Sequence, residues 1–449
     1  MFPAPGRAFE TIGIVGKYFV QNFGCRATQA DGAALEAMLA ARGLEPAGER
    51  AAADLVVLNT CTVTASADED ARHAIRRVHR ENPGARILVT GCYAQRAPQE
   101  LAALPGVEWV VGNSHKTQIP YIVQLEGGPC TPVPCHGAIH VGDISAQREF
   151  LSAPVEDAAG DRTRPNLKIQ DGCNNRCSFC IIPFVRGRSR SAPAEQVVAE
   201  VRALARRYRE IVLSGVNLGR WGREPGSAMR LAGLIRRLLS ETEVERLRLS
   251  SVEPMDLSDD LLGLMAESPR IAKHVHAPLQ TGCDRILRRM HRRYRPRHYA
   301  DRVLKARALM PQAAIGGDVL VGFPGETASD FEESRLFIES LPFTYLHVFT
   351  YSERPGTPAA ADPDPAPMPV RKERNRTLRE LAAAKNRAFR ESMIGRTLSA
   401  VTLHEPGAAL TDNYLKVALA RPREPNLLLD LPIGSVTEGG LREEPYQRT

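Results

Sequence analysis

The apolar positions near the start of the chain fall in short, almost continuous runs. Tyr18-Phe-Val-Gln-Asn, Asp54-Leu-Val-Val-Leu-Asn-Thr and Arg86-Ile-Leu-Val-Thr-Gly are too short for helices and apolar on both faces. Helical periodicity follows each, over about 31–42, about 66–80 and a short stretch after Pro98. That alternation predicts buried parallel strands with helices between them, an open α/β sheet over 15–125. The pattern resumes at 166 and runs to about 358, with strands beginning near Leu167, Ile211, Leu247, His274, Ile315 and Tyr345. Helical stretches at 194–208, 231–239, 258–265 and 330–340 lie among them. Six such units are too few to close an eight-stranded barrel, so a partial, open (β/α)6 barrel is expected over 165–370. After a Pro-rich run and a basic helical stretch at about 370–393, the tail alternates in short apolar runs: Leu398-Ser-Ala-Val-Thr-Leu, Tyr414-Leu-Lys-Val-Ala-Leu and Asn426-Leu-Leu-Leu-Asp-Leu. These predict a small β-barrel over 390–446. Between the two α/β domains, 126–164 is rich in Gly and Pro and lacks periodicity, as expected of a linker.

Composition narrows the class. With 449 residues, two to three domains are expected; 43% hydrophobic and 25% charged residues are the proportions of a globular protein. No apolar run approaches the ~20 residues that span a bilayer. The first residues carry no basic-plus-apolar export signal, so the nine cysteines point to metal or catalysis and the expected compartment is the reducing cytoplasm. The formal charge of +7 is a moderate excess. Basic residues cluster at Arg186, Arg188 and Arg190, from Arg285 to Arg297 and from Arg371 to Arg396. For any one cluster a solvated helix face is the plain reading; together they are compatible with a nucleic-acid partner.

The chemistry lies in the cysteines. Cys173, Cys177 and Cys180 are spaced C-x3-C-x2-C just past the strand at Leu167, with no fourth Cys or His nearby. A closed four-ligand zinc site is therefore not offered by this loop alone, although a distant fourth ligand would complete one. Three soft thiolates on a tight loop suit three corners of a cubane iron–sulfur cluster with one iron left open. Cys25, Cys61 and Cys92 each follow a predicted strand in the first domain. In an open parallel sheet such positions share one edge, where ligands bind, so the three should converge into a second thiolate triad. Cys130, Cys135 and Cys283 fit neither set and are assigned no role.

Taken together, these segments resemble the methylthiotransferases, radical SAM enzymes with two iron–sulfur clusters. The resemblance covers nearly the whole chain, with an N-terminal cluster domain, a radical SAM domain and a C-terminal TRAM domain in the same order. Asn59-Thr-Cys61-Thr-Val-Thr64 and Gln170-Asp-Gly-Cys173 through Cys180-Ile-Ile-Pro-Phe-Val-Arg-Gly-Arg-Ser-Arg190 are most similar to the branch acting on N6-threonylcarbamoyladenosine in tRNA. Arg354-Pro-Gly-Thr-Pro358 and Thr411-Asp-Asn-Tyr414 also resemble family motifs. Thr28 stands where the family pattern usually has Asn, a departure expected to touch no ligand, and the tail is short and diverged.

The resemblance implies a division of labour. Cys173, Cys177 and Cys180 would hold a 4Fe–4S cluster that binds and cleaves S-adenosylmethionine (SAM), with Phe179 beside the adenine. Cys25, Cys61 and Cys92 would hold a second 4Fe–4S cluster presenting sulfur. Asn217, Glu253, His276 and Gln280, at strand ends, are expected as SAM contacts. The implied substrate is the adenosine beside the anticodon of a tRNA, methylthiolated at C2, with an external electron donor and sulfur source. Arg186, Arg188 and Arg190 are expected to position the anticodon stem-loop. The tail from Gly395 reads as a separable RNA-binding module, because it lies beyond every proposed ligand. The alternatives are isopentenyladenosine in tRNA, a ribosomal-protein side chain, or a non-enzymatic protein with structural clusters.

Overall fold

The computed structural model describes residues 16–125, 137–148, 150–151, 163–362 and 364–445; Cys130 and Cys135 lie outside them. The N-terminal domain is a six-stranded parallel sheet in the order β2-β1-β3-β4-β5-β6. Its strands are β1 (Lys17–Asn22), β2 (Glu45–Pro46), β3 (Leu55–Thr60), β4 (Arg86–Gly91), β5 (Val107–Gly112) and β6 (Ala138–His140). Every residue of β3 is buried, as its uninterrupted apolar run requires. One face packs Ala71, Ile75 and Val78 of the helix Ala65–Glu81; the other packs Leu35 and Leu39 of the helix Arg26–Ala40. The stretch expected as a linker thus contributes an edge strand, with Trp109↔Ala138 through Val111↔His140 in register. Three residues with no alternation gave no sign of it.

The second domain has the six expected parallel strands: β7 (Asn166–Asp171), β9 (Glu210–Gly215), β10 (Arg246–Leu249), β11 (His274–His276), β12 (Ala314–Val321) and β13 (Tyr345–Thr350). The two-residue β8 (Arg190–Ser191) joins the outer edge of β7 antiparallel. Among the described residues the bridge Leu247↔Ile271 and the bond from the Val252 amide to the His276 carbonyl join the β10-β9-β7-β8 sheet to the β11-β12-β13 sheet, while the outer strands β8 and β13 do not pair with each other, so the barrel is partial and open. Its core includes Leu213, Leu247, Val275, Ile315 and Val319 inside helices bearing Val201, Leu238, Val303 and Ile338. Among the described residues no helix is long and apolar enough to cross a membrane.

The tail forms a closed barrel of β14 (Thr397–Thr402), β15 (Ala408–Thr411), β16 (Lys416–Ala418), β17 (Leu428–Val436) and β18 (Leu441–Glu443). It is not a free module. Arg248, fully buried on β10, forks onto Glu210 at 2.7 and 3.0 Å and donates to the carbonyls of Thr411 and Asp412, 3.0 Å each. Tyr414, held at φ 66, stacks on His274 with ring centroids 4.5 Å apart. The Thr411–Tyr414 motif is therefore a plug seated under the second domain. Phe389 and Met393, at the end of the helix Met368–Glu391 and just beyond, enter the core of the small barrel. Deleting the tail would uncover this seam, which corrects the expectation of a separable module.

Burial opposes ionisation of Glu210, but Arg248 and its neighbours hold the carboxyl down to about 2. This stabilisation is complete above the ordinary value of 4.5 and is lost as pH falls towards 2. Arg248→Ala leaves the buried carboxylate, among the described residues, with Arg164 at 3.3 Å and Arg246 at 3.6 Å. The expected cost at pH 7 is about 3 kcal/mol, read from the denaturant midpoint, and it should shrink in acid as Glu210 protonates.

Candidate active site

The C-x3-C-x2-C loop begins where β7 ends. Gly172 turns the chain at φ 67, and a Cβ there would lie 2.1 Å from the carbonyl oxygen of Arg188, so no other residue fits without a shift. The amide of Cys173 then bonds the Gly187 carbonyl at 3.0 Å, and that of Cys180 bonds the Cys177 carbonyl at 3.1 Å. Ser178 fastens the loop to the carbonyls of Met290 (3.1 Å) and Arg289 (2.8 Å). This brings Arg292 to Cys177, its guanidinium 3.3 Å from Sγ, while its other arm pairs with Glu253. Cys173 accepts from the Asn175 amide at 3.4 Å and faces Asn217 Nδ2 at 3.7 Å. Phe179 packs edge-to-face on Phe323, ring centroids 6.4 Å apart.

The other three cysteines converge as the topology requires. Cys25 caps the helix Arg26–Ala40, Cys61 follows β3 directly, and Cys92 opens the helix Cys92–Arg96 after β4. Gly24 lets the first loop pass the second: a Cβ there would meet Cys61 Cβ at 2.5 Å and Sγ at 2.7 Å. The loop after Cys61 is clamped by Arg354, which donates to Asp68 at 2.7 Å and to the Thr62 carbonyl at 3.4 Å. Asn113 Nδ2 lies 3.6 Å from Cys92 Sγ. Thr28 Oγ1 lies 3.5 Å from Cys25 Sγ, so the position expected to be clear of the ligands touches one.

Two features join the triads. Cys92 packs with Ile181 and Val185, which follow Cys180. Behind them is a buried ion cluster: Asp31 accepts from Lys116 (3.0 Å), Lys168 and Arg186 (3.0 Å), and Asp171 pairs with Lys168 (3.0 Å), Arg186 (3.0 Å) and Arg190 (3.3 Å). Burial opposes the charge on Asp31, yet the surrounding cations hold its carboxyl well below the usual range. Arg186 and Arg190 are thus interior residues; of the three arginines expected to meet RNA, only Arg188 is exposed. In front of the triads lies a cavity of about 360 Å³ whose wall includes both Cys25 and Cys180, with Phe179, Gln280, Asp318 and Tyr351.

The donor set fits clusters better than single ions. A zinc ion bound at about 2.3 Å can bridge sulfurs no more than about 4.6 Å apart. The groups of three described donors that close to within 4.8 Å are His276, Asp318 and His347, and Cys283, Asp330 and Glu333; neither cysteine triad is among them. Burial, with Cys92 and Cys25 alongside, pushes Cys61 up to about 12, and burial beside Cys177 does the same to Cys180. Assembled iron would offset both effects by taking up thiolates. Cys283 is different: buried, and donating to Asp330 at 3.2 Å, it is a packed thiol.

Comparison with known proteins agrees with this geometry. Residues 17–112 match the model described as uncharacterized protein family UPF0004, and residues 167–338 match the radical SAM superfamily. The chain is 37% identical to the threonylcarbamoyladenosine tRNA methylthiotransferase MtaB of Aquifex aeolicus, covering 89% of this chain and 96% of that protein. The chain belongs to the radical SAM methylthiotransferase family. Membership brings SAM and 4Fe–4S chemistry with it. The Bacillus subtilis MtaB is also 37% identical, covering 88% of each chain. A tRNA-2-methylthio-N(6)-dimethylallyladenosine synthase of Sphingopyxis alaskensis is 36% identical over 85% of each. Among solved structures, the radical SAM methyltransferase TsrM of Kitasatospora setae, with cobalamin and a 4Fe-4S cluster bound, shares the fold. Its TM-score is 0.57 at 17% identity, covering 77% of this chain and 76% of that one.

Within this methylthiotransferase the expected SAM contacts divide. Gln280 reaches the cavity wall from a left-handed backbone, φ 70, fixed by bonds from its amide to the Asp318 carbonyl and from Leu320 to its own. Asn217 lies at Cys173, and Glu253 lies at Cys177 through Arg292. His276 is not among the residues lining the cavity. It sits behind Asp318, 3.2 Å away, with its other nitrogen on Tyr345 Oη at 2.9 Å. Sequence reading missed Asp318, Asn113 and the inward aim of Arg292. Asp318 carried a signal, a lone carboxylate in an apolar strand; Arg292 was hidden in a basic run.

Replacing Cys173, Cys177 and Cys180 together by Ala is expected to lower the iron of anaerobically prepared protein from about eight to about four per chain, measured by metal analysis. Unchanged iron, or zinc in place of iron, would contradict the assignment of two triads.

Proposed function

We propose that this chain methylthiolates C2 of N6-threonylcarbamoyladenosine beside the anticodon of tRNA, giving 2-methylthio-N6-threonylcarbamoyladenosine. The observation that carries the reading is a cavity walled by a cysteine of each triad, Cys25 and Cys180. Cys173, Cys177 and Cys180 would hold the SAM-binding cluster, and Cys25, Cys61 and Cys92 the second one. When bound, the clusters and SAM supply one-electron reduction, hydrogen abstraction and the sulfur and methyl that are transferred. The electron and the sulfur come from outside the chain.

The chain's own residues orient and shield. Arg292 sets a positive charge against Cys177, and Glu253 fixes that guanidinium in turn. Asn217 directs an amide N–H at Cys173. Phe179 and Leu320 give the cavity an apolar wall suited to a purine. Gln280 and Asp318 offer an amide and a carboxylate to ribose hydroxyls or base nitrogens, with His276 holding Asp318 in place. The threonylcarbamoyl group is favoured over a dimethylallyl group by the hydroxyls of Thr64, Thr350 and Ser352 on the same wall, and by the naming of the Aquifex and Bacillus relatives.

Mass spectrometry of tRNA nucleosides from a strain lacking the protein tests the substrate. The 2-methylthio form of threonylcarbamoyladenosine should vanish and its precursor accumulate, while loss of the dimethylallyl derivative instead would refute the choice. In purified enzyme, Cys61→Ala should still cleave SAM but transfer no sulfur, and Cys177→Ala should do neither. Equal loss of SAM cleavage in both, with the other cluster intact, would overturn the division between triads.

A further inference from the structure

The cavity between the triads opens sideways. Thr64, Phe349, Thr350, Tyr351 and Ser352 line it and also line an adjoining open groove of about 480 Å³. The groove passes over the end of β13 to the helix Met368–Glu391. Met368, Lys372, Asn375 and Arg379 recur there every three to four residues and share the face that forms its far wall.

Its chemistry is specific. Val63, Phe349 and Met368 are large apolar residues about half exposed (48, 46 and 50%), at the cavity, at the junction and in the groove respectively. Lys372 and Arg379 are exposed and form no ion pair among the described residues. The helix's acids do not neutralise them: Glu373 and Glu380 are both paired with Arg376. The groove's own carboxylate, Glu353, is paired with Arg371. An exposed ring flanked by unpaired cations is the arrangement that binds single-stranded nucleic acid, bases stacking on the ring and phosphates meeting the cations. It suits neither a duplex, which hides its base faces, nor a basic protein segment.

We propose that this groove seats the unpaired anticodon-loop nucleotides next to the target adenosine, one base on Phe349 and the following phosphates on Lys372 and Arg379. The proposal rests on the tRNA reading above and adds the path by which the loop reaches the cavity. Phe349 belongs to both walls, so a nucleotide stacked on it directly adjoins one held between the triads.

The test uses full-length protein with its clusters and a synthetic anticodon stem-loop carrying N6-threonylcarbamoyladenosine. Lys372→Glu with Arg379→Glu should weaken binding at least ~10-fold and reduce the slope of log affinity against log salt by about 1.4, the release expected from two single-strand phosphate contacts. Phe349→Ala should weaken binding about 5- to 100-fold. Phe349→Trp should bind, with its emission quenched by the stem-loop; Trp109 and Trp221 are buried and give a constant background. Iron content and thermal unfolding confirm that each variant is folded. Arg76→Glu with Arg80→Glu, towards the other end of the helix Ala65–Glu81, carries the same change in net charge. Unchanged affinity and slope in the groove variants, an equal loss in the Arg76/Arg80 pair, or an unquenched tryptophan would overturn the groove and assign it to a protein partner. Wild-type protein that binds no stem-loop would overturn the tRNA reading and the groove together.

Discussion

Asp31 is the point at which the two halves of the site are tied. It lies on the helix that Cys25 caps, and it accepts from Lys168 on β7 and from Arg186 on the helix that follows Cys180. One carboxylate therefore sets the distance between the loops of both triads. Buried ion pairs are a poor route to stability, since apolar residues of similar volume often hold a core as well or better. What they supply here is charge and register. Four cations face two carboxylates, leaving a surplus of two positive charges behind the sulfurs of Cys25 and Cys92. Three thiolates gathered in a low-dielectric site need such a counter-charge.

The same principle reassigns much of the chain's basic character. Arg186, Arg190, Arg248, Arg292, Arg354, Arg371 and Arg374 are buried, and each is bonded to a carboxylate. They join loops, triads and domains. The excess of +7 over the whole chain is thus a poor guide to where RNA would lie. The informative cations are those that the fold leaves without partners.

The legible parts were those set by local pattern. Strands buried on both faces announce themselves as continuous apolar runs, so all six strands of the second domain and the three that carry cysteines could be placed. The spacing of Cys173, Cys177 and Cys180 marked one triad. The second followed from topology, because strand ends of a parallel sheet share an edge. Features set by long-range packing left no such mark. Asp31 and Lys168 are 137 residues apart, and nothing in the sequence marks them as partners until the domains dock. Thr28 is the exception, a local contact that was overlooked: it is the third residue of the helix that Cys25 caps, where the two side chains meet. Tyr414 resembled a motif without a role; its stacking on His274 comes from a turn in a separate barrel.

The central claim is that two cysteine triads, one from each α/β domain, are tied by a fixed ion cluster behind them and meet a common cavity through Cys25 and Cys180. Anomalous diffraction at the iron edge from anaerobically grown crystals tests it most directly. The account predicts two separate iron centres, one bounded by Cys173, Cys177 and Cys180 and one by Cys25, Cys61 and Cys92, both opening on the cavity lined by Phe179 and Gln280. A single iron centre, zinc at either triad, or two centres opening to different sides of the molecule would contradict it.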